Sequence, residues 1–290
     1  MATIPGISRL SNRVVRILGC NPGPMTLQGT NTYLIGTGKN RLLLDTGDKD
    51  VQEYQNNLRQ VLQNEKVNIE HIVLTHWHHD HVGGVENIYN NIANNCKIWK
   101  HKQSLEDTNI IDSNQSYSMN WLVDGQELTV EGATVKIHHT PGHTTDHIVL
   151  TLKEENALFS GDCVLGEGTA VFEDLYTYMI SLQQILELNP SVIYPGHGNV
   201  IEDPSKKIAY YIAHRNLRES QILDALKSNS DKQLTEMDLV KIIYTETPEH
   251  LWPAAAYNVN HHLTKLNKEN KVILITGTEN KWQCNPTSSL

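Results

Sequence analysis

Short apolar runs recur along the first 200 residues, and Gly, Pro, Asn or Asp residues bound each of them. They predict strands at 14–18, 32–36, 41–45, 71–75, 133–139, 147–152, 157–161 and 191–194. Helical patterns lie between them at 50–63, 82–94 and 175–188. Strands interleaved with helices in this way predict an α/β layered fold.

The character of the chain changes after Ile201. Pro204 opens a long helical stretch, which two further helical patterns near 235–245 and 253–269 follow. Two short strand-like runs, 271–275 and 281–284, then surround a turn. Three helices followed by a hairpin are typical of a winged-helix module. We therefore predict two domains, a catalytic domain of residues 1–200 and a winged-helix-like domain of residues 201–290.

The charge of the chain is uneven. The net charge is -9, yet residues 201–290 hold 11 Lys and Arg against 11 Asp and Glu. The whole acidic excess therefore lies in the first 200 residues, where bound metal cations would offset part of it. No strongly basic face follows from these counts, so any affinity for nucleic acid must come from local geometry or from metal.

Several features of the sequence indicate the cellular compartment in which the protein is expected. The sequence has no apolar run of about 18 residues, which predicts no membrane span, and no apolar core of a secretory signal. Before Asp45 the chain carries only basic charges, which is the bias of a mitochondrial targeting segment. Those residues are equally compatible with plain first strands. The four cysteines form no C-x-x-C pair, which favours a reducing compartment.

The sequence THWHHDH at 75–81 directly follows an apolar run. Because side chains at i and i+2 of an extended segment point the same way, His76 and His78 can converge on one metal ion. Asp80 and His81 follow a further bend and would face a second position. Imidazole and carboxylate ligands suit zinc, iron or manganese. A histidine-rich surface turn is the alternative interpretation.

Three further strand ends carry a ligand-type side chain beside glycine, which makes the surface-turn alternative weaker. They are His143 in TPGHT, Asp162 in FSGDC and His197 in YPGHG. Glycine permits tight turns close to an ion, since it has no Cβ to clash. The four segments together predict an open metal site at the carboxyl ends of the strands.

The order HxHxDH, GH, GD and GHG resembles the metallo-β-lactamase superfamily. The resemblance implies an αββα sandwich with a dinuclear metal site between the sheets, usually occupied by two zinc ions. It also implies a ligand set: one ion would be bound by His76, His78 and His143, and the other by Asp80, His81 and His197, with Asp162 bridging them.

Other potential ligands lie near these motifs. Asp45, in LLLDTG, resembles the aspartate of this superfamily that supports a ligand histidine, but it equally suits an N-cap of the next helix. We expect structural or surface roles for the remaining candidates, which are His79, His138, His139, Asp146, His147 and Cys163.

A dinuclear site favours hydrolysis, because two ions about 3.5–4 Å apart can hold a bridging hydroxide and polarise the electrophile. Asp80 is the candidate general base, since it could both bind an ion and accept a proton from the water. The sequence identifies no general acid. It contains neither a G-x-S-x-G elbow nor a Walker A motif, so a metal-dependent hydrolase is the enzyme class that we predict. The resemblance implies that its metal is zinc.

Two longer stretches that contain no predicted metal ligand indicate the class of substrate. Residues 10–34 and 166–179 resemble the mitochondrial endoribonucleases of this superfamily. The resemblance implies hydrolysis of phosphodiester bonds in single-stranded RNA in the mitochondrial matrix, with the cytosol as the alternative. A glyoxalase II-type thioesterase, that is, a hydroxyacylglutathione hydrolase, is the other function that the motif allows. Such an enzyme would need basic residues for a glutathione carboxylate, and none can be assigned.

Two further regions have open roles. The loop 21–31 either borders the cleft or simply connects strands. The winged-helix-like domain either guides RNA or serves as a packing or dimerisation element. Its candidate RNA contacts are Asn258, Asn260, His261 and Lys265, with Trp252 and Tyr257 as candidates for base stacking. The sequence does not indicate an oligomeric state.

Overall fold

The structure is a computed structural model that describes residues 3–103 and 116–286. The chain forms two compact units. One consists of Met1–Glu173 and Ser181–Ile208, and the other of Asp174–Ile180 and Ala209–Leu290. The division thus crosses the helix α4 (Leu175–Leu188), whereas the sequence predicted a single boundary near residue 200.

The first unit contains two sheets. The seven-stranded sheet has the order β1 (Ile7–Arg9), β2 (Val14–Leu18), β3 (Asn31–Ile35), β4 (Asn40–Leu44), β5 (Asn68–Leu74), β6 (Lys97–His101) and β7 (Met119–Leu122). Its strands are antiparallel from β1 to β4 and parallel from β4 to β7. The five-stranded sheet consists of β8 (Glu127–Val130), β9 (Ala133–His139), β10 (Ile148–Leu152), β11 (Ala157–Gly161) and β12 (Val192–Pro195), in the order β12-β11-β10-β9-β8.

The core lies between the two sheets and beneath the helices of the first one. In β4, Leu42 and Leu44 face the second sheet, while Leu43 packs on the opposite face. That face is covered by α1 (Gln52–Glu65) and α3 (Val85–Asn91). Between the sheets, the rings of Tyr33 and Phe159 lie 5.1 Å apart. Strands buried on both faces read as continuous apolar runs, which is why the sequence located β2 to β5 so closely.

Two pairs of parallel strands determine where the ligand-type residues come together. β4 and β5 are parallel neighbours, and β5 ends at Leu74, directly before the THWHHDH segment. β11 and β12 are also parallel, with Gly161 opposite Pro195. Asp162 and Gly196 follow these two strand ends. Because parallel strands end at the same edge of a sheet, their loops meet there.

The second unit is mainly helical. It includes most of α5 (Pro204–Ser228), together with α6 (Glu236–Ile243), α7 (Trp252–Lys268) and the hairpin of β13 (Val272–Ile275) and β14 (Lys281–Cys284). Its core contains Leu226, Leu239, Leu263 and Trp282. The predicted α/β class with a C-terminal winged-helix module is therefore confirmed. Within residues 3–103 and 116–286, the helices are too short or too polar to span a membrane.

One candidate RNA contact in this unit is wrong. Lys265 lies on α7 and is buried, and its ammonium group pairs with Glu219 and Glu269. A buried lysine with two carboxylate partners has no charge left for a phosphate. Tyr257, in contrast, is 66% exposed.

The helix α6 begins with a reciprocal cap that can be tested. Asp238 N donates to Thr235 Oγ1 at 3.1 Å, and Thr235 N donates to Asp238 Oδ2 at 3.0 Å. Replacing Thr235 by Ala should lower the free energy of unfolding of this unit by about 1 kcal/mol, because a backbone N–H loses its partner. Denaturant unfolding of Thr235→Ala beside the exposed-site control Thr245→Ala measures the effect; equal stability of the two variants would contradict it.

Candidate metal centre

The first group of ligand-type side chains lies at the end of β5. His76 Nε2 is 2.9 Å from His78 Nδ1, and His143 Nε2 is 3.1 Å from the same His78 nitrogen. Asp162 Oδ2 completes the group at 3.7 Å from His143 Nε2. One ligand atom from each of the four residues lies within 4.8 Å of the others. This spacing lets all four atoms point at one ion.

The second group begins one turn later. The short helix α2 (His79–Val82) rotates the chain, so that Asp80 and His81 face away from the first group and toward His197. Asp80 Oδ2 lies 3.2 Å from His81 Nε2 and 3.2 Å from His197 Nε2. The two imidazole nitrogens are 3.4 Å apart. The structure therefore divides the THWHHDH segment as its spacing predicted.

Asp162 lies between the two groups. Its Oδ1 is 3.4 Å from His81 Nε2 and its Oδ2 is 3.3 Å from His197 Nε2, in addition to its contact with His143. Close backbone approach makes this position possible, because a Cβ at Gly196 would lie 2.3 Å from Asp162 Oδ1. The glycine of YPGHG thus leaves the room that the carboxylate occupies.

Asp45 supports the second group from behind. Its Oδ2 lies 2.8 Å from His81 Nδ1, and its Oδ1 accepts a hydrogen bond from Thr75 N at 2.8 Å. The helix α1 begins only at Gln52, so the N-cap alternative is wrong, and Asp45 instead contacts His81 as the resemblance implied. Asp45 is 2% exposed and has a φ of 58°, a left-handed conformation that aspartate tolerates better than most residues.

The remaining imidazoles are oriented in the same manner. His143 Nδ1 lies 2.8 Å from the Val171 carbonyl oxygen, and His197 Nδ1 lies 3.4 Å from the Gly29 carbonyl oxygen. His76 Nδ1 lies 2.9 Å from Thr75 Oγ1. Each of these contacts leaves the other ring nitrogen directed into the site, as metal-binding histidines require.

The residues fit metal ions on two counts. Asp162 Oδ1 is buried and has no hydrogen-bond partner among the residues that the structure describes. A buried carboxylate oxygen without a hydrogen bond is costly unless a cation satisfies it. The donor set of imidazole nitrogens and carboxylate oxygens is also the set that zinc, iron and manganese prefer. Each group can therefore hold one ion.

The electrostatics of the site depend on the two carboxylates. Burial disfavours the charged form of His197, but the Asp162 carboxylate outweighs it and raises the pKa of His197 to about 9. In the other group, burial lowers the pKa of His78 to about 4, and His143 adds to the effect. Protons on His197 thus compensate the carboxylates when no cation does. Since a ligand imidazole must be neutral, metal binding has to release such protons.

The other candidates have structural or surface positions. His79 is exposed and belongs to neither group. His147 is fully buried beneath the site, where its Nε2 accepts a hydrogen bond from Asp162 N at 3.1 Å. Cys163 is buried, and burial raises the pKa of its thiol. His138 pairs with Thr151, as a residue of a strand interior would.

A cavity of about 220 Å³ opens onto both groups. The loop 21–31 borders it, as one of its two interpretations predicted, through Pro24, Met25 and Leu27. Further apolar residues and Glu167 line it on the segment 165–171. A larger groove of about 840 Å³ contains Asn40 and Asn68, at the starts of β4 and β5, but no residue of either ligand group. Ligand chemistry therefore identifies the smaller cavity as the site.

Sequence reasoning missed two polar residues near the ligand groups. Thr30 is buried and its Oγ1 donates to Asp80 Oδ2 at 2.8 Å, while Glu167 lines the cavity. Thr30 lies inside the loop already suspected of bordering the cleft, so the loop was the available signal. Glu167 lies in a glycine-flanked stretch, GEG, which resembles a turn and carries no ligand spacing.

Comparison with known proteins agrees with this geometry. The family model described as Metallo-beta-lactamase superfamily matches residues 25–197, and one described as Beta-lactamase associated winged helix domain matches residues 235–282. A Drosophila melanogaster protein named Beta-lactamase-like protein 2 homolog is 54% identical over 293 residues, covering 100% of both chains.

Two other similar proteins are a relative with a different name and a solved structure. A Claviceps purpurea protein named Atrochrysone carboxyl ACP thioesterase is 41% identical and covers 84% of this chain and 76% of its own. The crystal structure of a Beta-lactamase domain protein from Burkholderia ambifaria has a TM-score of 0.78 and 18% identity, covering 97% of this chain and 95% of that one. At that identity the second match shows the fold alone. From the matched models, the ligand geometry and the relatives, the chain belongs to the metallo-β-lactamase superfamily, a family of metal-dependent hydrolases.

Proposed function

We propose that this protein is a metal-dependent endoribonuclease that hydrolyses phosphodiester bonds of single-stranded RNA. The observation that carries the proposal is the pair of ligand groups that share Asp162 and open into one cavity. Two ions bound there would activate water and offset the charge of a phosphodiester. The resemblance of residues 10–34 and 166–179 to endoribonucleases supports the substrate. By the same resemblance, zinc is the metal and the mitochondrial matrix is the compartment that we propose.

Asp80 is the residue that we propose as the general base. Hydrogen bonds engage its Oδ2, which accepts from Thr30 Oγ1 and contacts two imidazoles. Among the described residues, Oδ1 has no hydrogen-bond partner and can accept one from water. Although burial acts in the opposite direction, His197 and His81 lower the pKa of Asp80. Asp80 therefore stays ionised and can accept a hydrogen bond from water.

The cavity wall also favours a second candidate, hydrolysis of a thioester with an apolar acyl group. Apolar side chains form most of its lining outside the ligands, namely Pro24, Met25, Leu27, Leu165, Ala170 and Val171. The described lining contains no Lys or Arg for a glutathione carboxylate, which makes the hydroxyacylglutathione version of this activity less favourable. The thioesterase name of the Claviceps purpurea relative points to the same chemistry.

The two activities can be compared on one preparation with a measured zinc content. We expect internal cuts in an unstructured RNA, lost on addition of a chelator and reduced at least about 100-fold in Asp80→Ala, because the proton acceptor is gone. A long-chain acyl thioester and S-lactoylglutathione serve as the competing substrates. Turnover of a thioester by metal-loaded protein that leaves RNA intact would replace the proposal with the second candidate.

The division of the histidines predicts different effects on metal content. His78→Ala should lose the ion of the first group, because His78 Nδ1 contacts two of its members. His79→Ala is the matched control and should retain both ions, since its side chain is exposed and outside both groups. Elemental analysis after dialysis against trace zinc measures the content. Loss of an ion from His79→Ala would show that the division is incorrect.

Asp45 provides a test of the support behind the site. Thr75 N donates to Oδ1 and His81 Nδ1 contacts Oδ2, so an amide at this position would turn its NH2 group toward one of these two partners. Asp45→Asn should therefore weaken metal affinity by about 10–100-fold. Competition with a fluorescent zinc chelator measures the affinity. Asp48→Asn, a change of the same kind at a partly exposed position, should match the wild type. Unchanged affinity in Asp45→Asn would remove the supporting role.

A further inference from the structure

Glu167 is a charged residue in the cavity for which the ligand groups provide no role. Among the described lining residues, the other charged or titratable ones are His78, Asp80, His143, Asp162 and His197, all of them ligand candidates. Glu167 is partly exposed and lies on the wall segment 165–171. An acidic residue that lines the cavity without a place in the ligand set needs another explanation.

The surrounding residues hold Glu167 in place. Asn199 Nδ2 donates to Glu167 Oε1 at 2.9 Å. Lys207 Nζ donates to the carbonyl oxygens of Gly166 at 3.3 Å and Gly168 at 3.4 Å, on either side of Glu167. A Cβ at Gly198 would lie 2.9 Å from Glu167 N, so the segment packs closely on the turn that carries His197. The carboxylate is therefore held by Asn199, which lies two residues after His197 of the second ligand group.

A fixed carboxylate in this position is unfavourable for binding an anionic phosphodiester, because like charges repel. The repulsion is offset if the substrate donates a hydrogen bond, since an ionised carboxylate only accepts. Among the described residues, Oε1 accepts from Asn199, whereas Oε2 has no hydrogen-bond partner. Glu167, which lines the cavity, thus has one carboxylate oxygen without a partner among the described residues.

In RNA, the group that suits such an acceptor is the ribose 2′-hydroxyl. This hydroxyl lies next to every phosphate, can donate, and is absent from DNA, so it lets a protein distinguish the two polymers. Acidic side chains accept from the same ribose hydroxyl in dinucleotide-binding folds. A hydrogen bond from the 2′-hydroxyl would offset the repulsion between the Glu167 carboxylate and the phosphate. Because DNA lacks this hydroxyl, the contact would favour RNA.

We propose that Glu167 Oε2 accepts a hydrogen bond from the 2′-hydroxyl of the ribose beside the scissile phosphate and so selects RNA over DNA. The proposal rests on the proposed endoribonuclease function. It makes Glu167 a specificity residue, oriented by Asn199 and held in position through Lys207.

The test combines a change in the protein with a change in the substrate. The substrates are an unstructured RNA oligomer and versions with a single 2′-deoxynucleotide at each position in turn. With wild-type protein, the deoxy substitution beside the cut should slow cleavage there by about 10–100-fold, the effect of one hydrogen bond to a charged group. In Glu167→Ala, RNA cleavage should slow by a similar factor and the deoxy substitution should have no further effect.

Two variants and a measurement of zinc content accompany this test. Glu202→Ala changes an exposed acidic residue outside the cavity and should keep the wild-type preference. Asn199→Ala loosens the carboxylate and should reduce the preference in part. Zinc content should be equal in all variants.

If Glu167→Ala slowed cleavage of the RNA and of the deoxy-substituted oligomers by the same factor, the proposal would be overturned. Glu167 would then contribute to the cleavage step itself and not to recognition of the ribose. The proposal would also be overturned if Glu167→Ala kept the wild-type preference for RNA over the deoxy-substituted oligomer. Both results leave RNA cleavage by the wild type intact. If the wild type cuts no RNA, the proposed function itself fails.

Discussion

The buried carboxylate of Asp162 is the constraint on which the site depends. It is 8% exposed and lies within 3.7 Å of His81, His143 and His197, which belong to different ligand groups. A buried negative charge is stable only when positive charge or strong donors surround it. The surrounding imidazoles are neutral when they bind metal, so cations must supply that charge. The ligand sets on both sides of Asp162 follow from this requirement.

The fold meets the requirement with strand ends and backbone turns. β5 belongs to the first sheet, and β11 and β12 belong to the second. A ligand candidate follows each of these strands, and the ligand candidates lie close together. Asp45, at the end of the neighbouring strand β4, fixes one imidazole and one backbone N–H at once. The geometry of the site is thus held by rigid strands, while the cavity wall comes from loops. Such loops can change the substrate without disturbing the ligands.

The sequence predicted the ligand candidates because their signal is local. His76, His78, Asp80 and His81 lie in one heptapeptide, and glycines mark the other strand ends. The role of Asp45 stayed open, since it depends on the start of α1 at Gln52. Thr30 and Glu167 could not be assigned, because their contacts with Asp80 and Asn199 lie 50 and 32 residues away.

There are also physical reasons why some helices and strands could not be predicted from the sequence. The strands β1, β6, β7 and β8 were not predicted. They are short, β1 has no fully buried residue, and the other three have only one or two. A single helix was predicted over 82–94, yet the chain breaks between α2 and α3. A Cβ at Gly84 would lie 2.1 Å from the Thr46 carbonyl oxygen, so close packing on a distant loop decides the break. Hydrophobic periodicity does not report such contacts.

The most direct test of the shared carboxylate is a crystal structure of the zinc-loaded protein with anomalous diffraction data at the zinc edge. The account predicts two anomalous peaks, one among His76, His78 and His143 and one among Asp80, His81 and His197, with Asp162 in contact with both. A single peak in zinc-saturated crystals, or two peaks of which only one contacts Asp162, would contradict it.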